Sequence, residues 1–600
     1  MRQLTSLITC LVMFIACMNV WADDKTTALP DNGKMMFADD ALFVSPLHGS
    51  AIENAKKRTV AIKDMPFEKA LEVEILVKPQ FDREIQINIP TTMAIEDGDA
   101  LFLELWARTL SSDDEQNQVG EIRLVLEQNF KPWKKIIWMK QEVGKGWTHY
   151  QVPVDAKMPL EAGTAKVALR IGGRKQVLQI GGLRLLNFKQ SISAKKLPHS
   201  DLDYMGMSEN APWRAEAAKR IEQYRKADMK VELVDLLGQP ISDAKVHVQM
   251  TRHAFGFGCV YNTRWFHGSH SETEDGKKYR QMYKKLFNIG VDEGAMKWSA
   301  WENPKAWPGV EASLSWMEEN DIDVRGHCLV WGSFLRMPKD LSLIIDNTDV
   351  LKQRVINHIH DAVGATRGRV IAWDVVNEPQ SHTDIFKNLD DEVMVDWFKA
   401  AHQANPQIGL ALNETTTGSM DGGMDTFERH ARMLLAKGAP ITSLGFQSHF
   451  SQLGMPIDQV YAILERFGKL GLDLEITEFD YSGVDEKMQA AFTRDYMTIC
   501  FSHPKVISFL HWGFWAGSHW RPDRALFNKD WSIKPNGQTY MDLVFDKWWT
   551  DVKTKTDGNG KLQVRGFQGD YLLTIEAQGK TMTRQLQLPR EGCTLKVVVP

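Results

Sequence analysis

Between residues 253 and 549, strand-like and helix-like runs alternate eight times, and no other feature constrains the fold as tightly. The strand-like runs are Phe255–Tyr261, Asn288–Glu293, Val324–Trp331, Val370–Glu378, Ile408–Glu414, Ile441–Phe450, Leu472–Asp480 and Val506–Trp515. They are nearly continuous in apolar character, as expected of parallel strands covered on both faces. Amphipathic stretches lie between them, among them Val350–Val363, Glu392–Ala404, Asp425–Leu435, Ile457–Phe467 and Lys487–Phe501. Eight such units in roughly 300 residues have the count and length of a (β/α)8 (TIM) barrel.

That barrel is half of a 600-residue chain. At about 150 residues per domain, more than one further unit is expected. Residues 1–22 read as a signal peptide: Arg2, an apolar run from Leu7 to Val20, then Ala22 before Asp23-Asp24. An exported protein follows, periplasmic, secreted or at the cell surface, with a lipid anchor through Cys17 as the less favoured variant. No later run is long and apolar enough to span a bilayer, so no transmembrane segment is expected. Residues 23–197 show period-two alternation and turn residues, which predicts an all-β, jelly-roll-like sandwich. Residues 198–228 read as a linker followed by a helix over Ala211–Ala227. Strand-like runs within 229–252 and 550–600 resemble each other in style, with turns at Leu237-Gly238-Gln239-Pro240 and Asp557-Gly558-Asn559-Gly560. A two-stranded piece is marginal alone. The two segments are therefore expected to join into one small, discontinuous β-sandwich-like module around the 253–549 barrel.

Net charge is -5, and no strong basic field points to nucleic acid. After the signal, Cys259, Cys328, Cys500 and Cys593 are widely spaced, without a CxxC or Cys/His pattern, so no metal site or disulfide framework is indicated. The chain is expected to act as a monomer. The outlying number is 20 Trp, a residue whose flat apolar face suits stacking on sugar rings as well as packing a core.

In a barrel of this kind chemistry gathers at the C-terminal ends of the strands. There this sequence places Glu293, Lys297 and Trp298; His327 and Trp331; Asp374, Asn377 and Glu378; Asn413 and Glu414; Gln447 and His449; Glu475, Glu478 and Asp480; and His511, Trp512, Trp515 and Trp520. Two facing carboxylates among aromatic platforms suit glycosidic bond hydrolysis, in which one acid must be protonated and the other ionised. Glu378 and Glu478, on the fourth and seventh strands, form that pair, about 5–5.5 Å apart if the mechanism is retaining. His449 and Asp480 are placed to hydrogen-bond Glu478 or each other, and Asn377 to reach a sugar 2-hydroxyl. A zinc barrel would want clustered histidines at the first strand, which has none.

These residues resemble glycoside hydrolase family 10, mostly endo-β-1,4-xylanases, over residues 253–549. The similarity rests on Met296-Lys297-Trp298, the stretch Arg325 to Trp331, Trp373 to Pro379, Gly445-Phe446-Gln447-Ser448-His449 and Ile476-Thr477-Glu478-Phe479-Asp480. The resemblance implies that Glu378 is the acid/base and Glu478 the nucleophile. It also implies that Glu293, Lys297, His327, Trp331, Asn377, Gln447, His449, Trp512 and Trp520 shape the sugar site, with Asp480 in support. No cofactor is implied, and the implied partner is a xylan-like polysaccharide. The N-terminal region is similar in style to carbohydrate-binding modules.

Three departures stand out. Gly294 replaces an Asn, Gly332-Ser333-Phe334 replaces His-Ser-Gln, and Thr415-Thr416 follow Asn413-Glu414. Losing donors that bind sugar hydroxyls changes specificity. A β-glycan other than plain xylan stays open as the substrate, and a catalytically inactive carbohydrate-binding protein is the remaining alternative.

Overall fold

The computed structural model describes residues 29–113, 119–131, 133–200, 204–415, 423–452, 454–483 and 485–600. The expected signal peptide and Cys17 lie outside the described residues. The chain forms two compact units that divide between Asp203 and Tyr204.

The first unit is all-β apart from short helical turns. One antiparallel sheet runs in the order Ala55–Ala61, Lys69–Ile75, Gln176–Asn187, Ala100–Ser112, Thr148–Asp155, with Lys34–Met35 added beside Gln176–Asn187. The other runs Leu47–His48, Gln86–Pro90, Ala165–Arg170, Gly120–Gln128, Lys135–Val143. Alternation explains the buried faces. Leu103, Leu105 and Ala107 are fully buried, while the alternating Trp106 and Arg108 are half-buried on the opposite face.

The second unit contains the barrel. Its strands are β1 (Gly256–Tyr261), β2 (Ile289–Asp292), β3 (Asp323–Gly326), β4 (Ala372–Asn377), β5 (Gly409–Glu414), β6 (Ser443–Phe446), β7 (Asp473–Gly483) and β8 (Val506–His511). Every neighbouring pair is parallel, β8 returns to β1, and β3 meets β4, so the sheet closes into an eight-stranded barrel. Intervening helices start on side-chain caps: Thr273 Oγ1 accepts from Gly276 N–H, and Asp485 Oδ1 from Met488 N–H.

Residues on either side of the barrel make a three-stranded and a four-stranded sheet. Lys226–Val234 pairs antiparallel with Lys561–Phe567 and parallel with Cys593–Val598. Lys245–His253 lies between Asp551–Lys555 and Gly569–Ala577, and Lys580–Leu588 completes that sheet. The two expected turns do not close hairpins within one sheet. Each carries the chain from one sheet to the other, fixed by an aspartate: Asp235 Oδ1 accepts from Leu237 and Gln239 N–H, and Asp557 Oδ1 from Asn559 and Lys561 N–H. The helix read as Ala211–Ala227 spans Pro212–Tyr224. Arg225 ends it, its guanidinium donating to the carbonyls of Phe501, His503 and Val506 at 2.6 Å each, and Lys226 already pairs with Phe567. The preceding stretch is docked rather than free. Tyr204 OH donates to Asp495 Oδ2 (2.6 Å), and Arg214 forks onto the same carboxylate.

Candidate active site

Beneath the strand ends lies a buried charged layer. The Arg325 guanidinium on β3 makes two bonds to Asp374 on β4 (2.7 and 2.5 Å) and one to Glu475 on β7 (2.8 Å), whose other oxygen accepts from Ser443 Oγ (2.6 Å). All three charged groups are nearly inaccessible to water. Buried charges are tolerable only when paired this fully. Burial pushes the Asp374 carboxyl up, but Arg325 and His327 outweigh it and hold it below its ordinary value. Asp374 Oδ2 also stands 2.8 Å from His327 Nδ1, which fixes that ring at the end of β3.

One layer higher, polar side chains from four strands form a continuous chain of hydrogen bonds. Gln447 Nε2 donates to Glu378 Oε1 (2.8 Å) and, more weakly, to Asn377 Oδ1 (3.3 Å). Asn413 Nδ2 donates to the same Asn377 oxygen and to Glu478 Oε1, each at 2.9 Å. Thr477 Oγ1 donates to Asn413 Oδ1 (2.7 Å) and so sets the orientation of that amide. The two glutamates thus sit at opposite ends of one relay through β4, β5 and β6. Glu378 holds its place through a left-handed backbone, φ 53°, a conformation that costs a non-glycine residue and persists only when surroundings impose it. Its N–H donates to Asn413 O at 2.9 Å.

Around Glu478 the network continues through His449 and Asp480. His449 Nε2–H donates to Glu478 Oε2 (3.2 Å) and Nδ1–H to Asp480 Oδ1 (2.8 Å). Asp480 also accepts from Arg524 (2.6 Å) and Trp520 Nε1 (2.7 Å). Burial alone would lower the His449 pKa, but the two carboxylates raise it to about 9, so the ring is a cation at neutral pH. Burial alone would raise the Glu478 pKa. The His449 hydrogen bond and the fields of His327, His449 and Lys297 reverse this, and the carboxyl lies below its ordinary value. Asp480 is held down in the same way, against burial, by His449, Arg524 and His519. Glu414 at the end of β5 goes the other way. Burial, helped by the Glu378 charge and opposed by Thr415, pushes it up to about 7.

Aromatic rings line the rest. Trp512 stands edge-on to His327 (5.4 Å) and His449 (6.4 Å), Trp520 edge-on to His449 (5.3 Å), and Lys297 Nζ lies 4.8 Å from the Trp331 ring centre. The structure therefore brings together Lys297, His327, Trp331, Asn377, Glu378, Gln447, His449, Glu478, Asp480, Trp512 and Trp520. Glu293, just after β2, accepts from Asn262 Nδ2, which follows β1 (3.2 Å). Asp374 and Asn413 were named from sequence by their strand-end positions and Arg325 within a matched stretch, but none was given its organising role; Arg524, in a loop, had no sequence signal.

The domain spanning residues 249–543 matches the family model described as Glycosyl hydrolase family 10. The barrel domain belongs to that family. Among curated relatives of the chain is the anti-sigma-I factor RsgI6 of Acetivibrio thermocellus, 30% identical over 61% of this chain and 47% of that protein. The endo-1,4-beta-xylanase B of Thermotoga neapolitana is 28% identical over 46% of this chain and 85% of that protein. The chain thus spans less than half of the first relative's length. Among solved structures, xylanase 10B from Thermotoga petrophila RKU-1 in complex with xylobiose is 26% identical, with a TM-score of 0.45, covering 49% of this chain and 95% of that one.

The departures from the family pattern have distinct surroundings. At Gly294 a Cβ would meet nothing within 4 Å, so that flank is open. At Gly332 a Cβ would lie 2.3 Å from the His382 carbonyl oxygen. Ser333 Oγ and Phe334 N–H both turn to Asp384. Thr415 caps the Glu414 carboxylate, and Thr416 lies outside the described residues. Among the described residues, no group of three or more His, Cys, Asp or Glu side chains is arranged to hold a metal ion, and no helix is long and apolar enough to cross a membrane. The free cysteines Cys259, Cys328 and Cys500 are buried.

Proposed function

We propose that the family 10 domain is a retaining glycoside hydrolase that cleaves internal β-1,4 bonds of xylan or a closely related β-glycan. The observation that carries this reading is the unequal pair of carboxyl groups. Glu478 is kept as an anion by a cationic His449, while Glu378 faces hydrogen-bonding partners in the half-exposed loop after β4. In the first step Glu478 attacks the anomeric carbon while Glu378 gives its proton to the departing glycosidic oxygen, leaving a glycosyl ester on Glu478. In the second, Glu378 takes a proton from water, the resulting hydroxide displaces Glu478, and both groups return to their starting states. Asn377 Oδ1 is occupied by Asn413 and Gln447, so its Nδ2 is the group that donates to a sugar hydroxyl. Relatives named as endo-1,4-beta-xylanases support the substrate class.

A second reading, a β-glycan other than plain xylan, draws on the open flank at Gly294 and the occupied one at Gly332. Product analysis of the mature protein on plain and arabino-decorated xylan, mixed-linkage glucan, mannan and cellulose separates the two. Short xylo-oligosaccharides that vanish in Glu378→Gln and Glu478→Gln support the first. Cleavage of another glycan alone, lost in the same variants, supports the second. No cleavage, with binding retained, leaves a carbohydrate-binding protein.

The first unit is proposed to hold glycan on its outer sheet face. There Trp106 stacks on His149 (3.9 Å, 4°) and the Arg108 guanidinium lies 4.7 Å from the Trp147 ring centre. Loss of polysaccharide binding in Trp147→Ala, measured on the Glu478→Gln chain, tests this. Export is proposed from the N-terminal apolar run and is checked by N-terminal sequencing of the mature chain.

A further inference from the structure

The loop after β4 carries a histidine that no spacing in the sequence singles out. His382 Nδ1 stands 2.9 Å from Glu378 Oε2. The other oxygen, Oε1, accepts from Gln447 Nε2. An amide N–H needs a lone pair to donate to, so when Glu378 is protonated its proton sits on Oε2. That oxygen faces His382, with Ser381 Oγ 3.4 Å away.

The position of His382 is built into the backbone. Its N–H donates to Glu378 O (3.0 Å), and Ile385 N–H donates to Gly332 O (3.1 Å). Only a glycine at 332 leaves room for this approach, because any Cβ there meets the His382 carbonyl. The imidazole is 26% exposed and rests 5.1 Å from the Trp331 ring. One of the three places where the chain departs from its family is thus the place that lets the loop press His382 against the carboxyl group.

We propose that His382 is a positioning residue that orients Oε2 of Glu378 and shares its proton. This rests on the reading of Glu378 as acid/base. In the first half-reaction the proton leaves the shared site for the glycosidic oxygen; in the second, Oε2 takes one from water and the shared site is refilled. A proton on that contact can rest on either atom, so the imidazole is a second holder of the proton that the reaction uses. The other charged groups around the pair are Glu414 at the end of β5, which feels the Glu378 charge, Lys297 and Arg336, which lie over the Trp331 ring beside His382, and, on the same loop, Asp384, turned to Ser333 and Phe334. None of them changes in the variants below.

Two readouts on the full chain test the inference. The first needs no substrate: the Nδ1 proton of His382 is followed by NMR in the wild type and in Glu378→Gln. A downfield, slowly exchanging Nδ1 proton is expected in the wild type and should be lost in Glu378→Gln, whose oxygen is taken by Gln447 and whose amide nitrogen faces the ring; the same signal in both overturns the pair. The second is the pH profile of kcat/KM on xylan for His382→Ala and His382→Asn. Asparagine can hold Oε2 but cannot carry the proton. Both variants should move the basic limb to lower pH by about half a unit or more, with kcat higher in His382→Asn than in His382→Ala. Unmoved limbs in folded variants overturn the positioning role. If the wild type cuts no xylan while the Nδ1 proton is still lost in Glu378→Gln, the substrate reading fails and the pair stands.

Discussion

The two sides of the cleft hold their carboxyl groups by different means. Glu478 sits among groups borne by β5, β6 and β7, and Asn413, Glu478 and Asp480 are all nearly inaccessible. Its partners are a cation and an amide whose orientation Thr477 fixes. Glu378 sits at the head of a loop, with a strained φ, and its second oxygen meets exchangeable partners, His382 and Ser381. A group that stays charged is suited by permanent donors and permanent counter-charge. A group that gains and loses a proton in each cycle is suited by partners that can do the same.

That contrast can be broken experimentally. Glu478→Gln should lower turnover at least about 10⁴-fold on every substrate, because no nucleophile remains. Glu378→Gln should cost about 10²–10⁴-fold, and less with leaving groups that depart without a proton; steady-state rates on aryl glycosides of graded leaving-group pKa read the difference. Asp480→Asn leaves the buried Arg524 without its counter-charge and should cost about 3 kcal/mol of stability in denaturant titration. His449 predicts a pH trend. Its folded pKa of about 9 lies above the ordinary value near 6.5. The stabilisation it brings is therefore full below about pH 6.5 and lost as pH rises through about 9, up to about 3 kcal/mol. The wild type should lose more stability than His449→Gln over that window. Gly332→Ala forces the His382 backbone away and should cost about 1–3 kcal/mol, with a drop in rate smaller than that of Glu378→Gln.

The same contrast decides what could be read from sequence. The eight barrel strands were legible because each is a continuous apolar run ending in polar groups, and a parallel barrel puts every such end on one rim. Glu378, Gln447, His449, Glu478 and Asp480 fall on that rim by position alone. Loop-borne contacts left no such trace. Arg524 reaches Asp480 from 44 residues along the chain, and His382 reaches Glu378 only because the backbone crosses Gly332. The turns after Val234 and Lys555 look like hairpins locally. They join different sheets because the pairing partners of their strands lie hundreds of residues away, across the barrel.

The assignment of opposite roles to the two glutamates is tested most directly by chemical rescue with azide. Glu378→Ala and Glu478→Ala are each given an activated aryl β-xylobioside and sodium azide, and the anomeric configuration of the product is read by NMR. In Glu378→Ala the glycosyl ester still forms, and azide, needing no base, should displace it to give the β-glycosyl azide. In Glu478→Ala azide takes the nucleophile's place and should give the α-glycosyl azide. An α product from Glu378→Ala, or a β product from Glu478→Ala, would contradict the assignment.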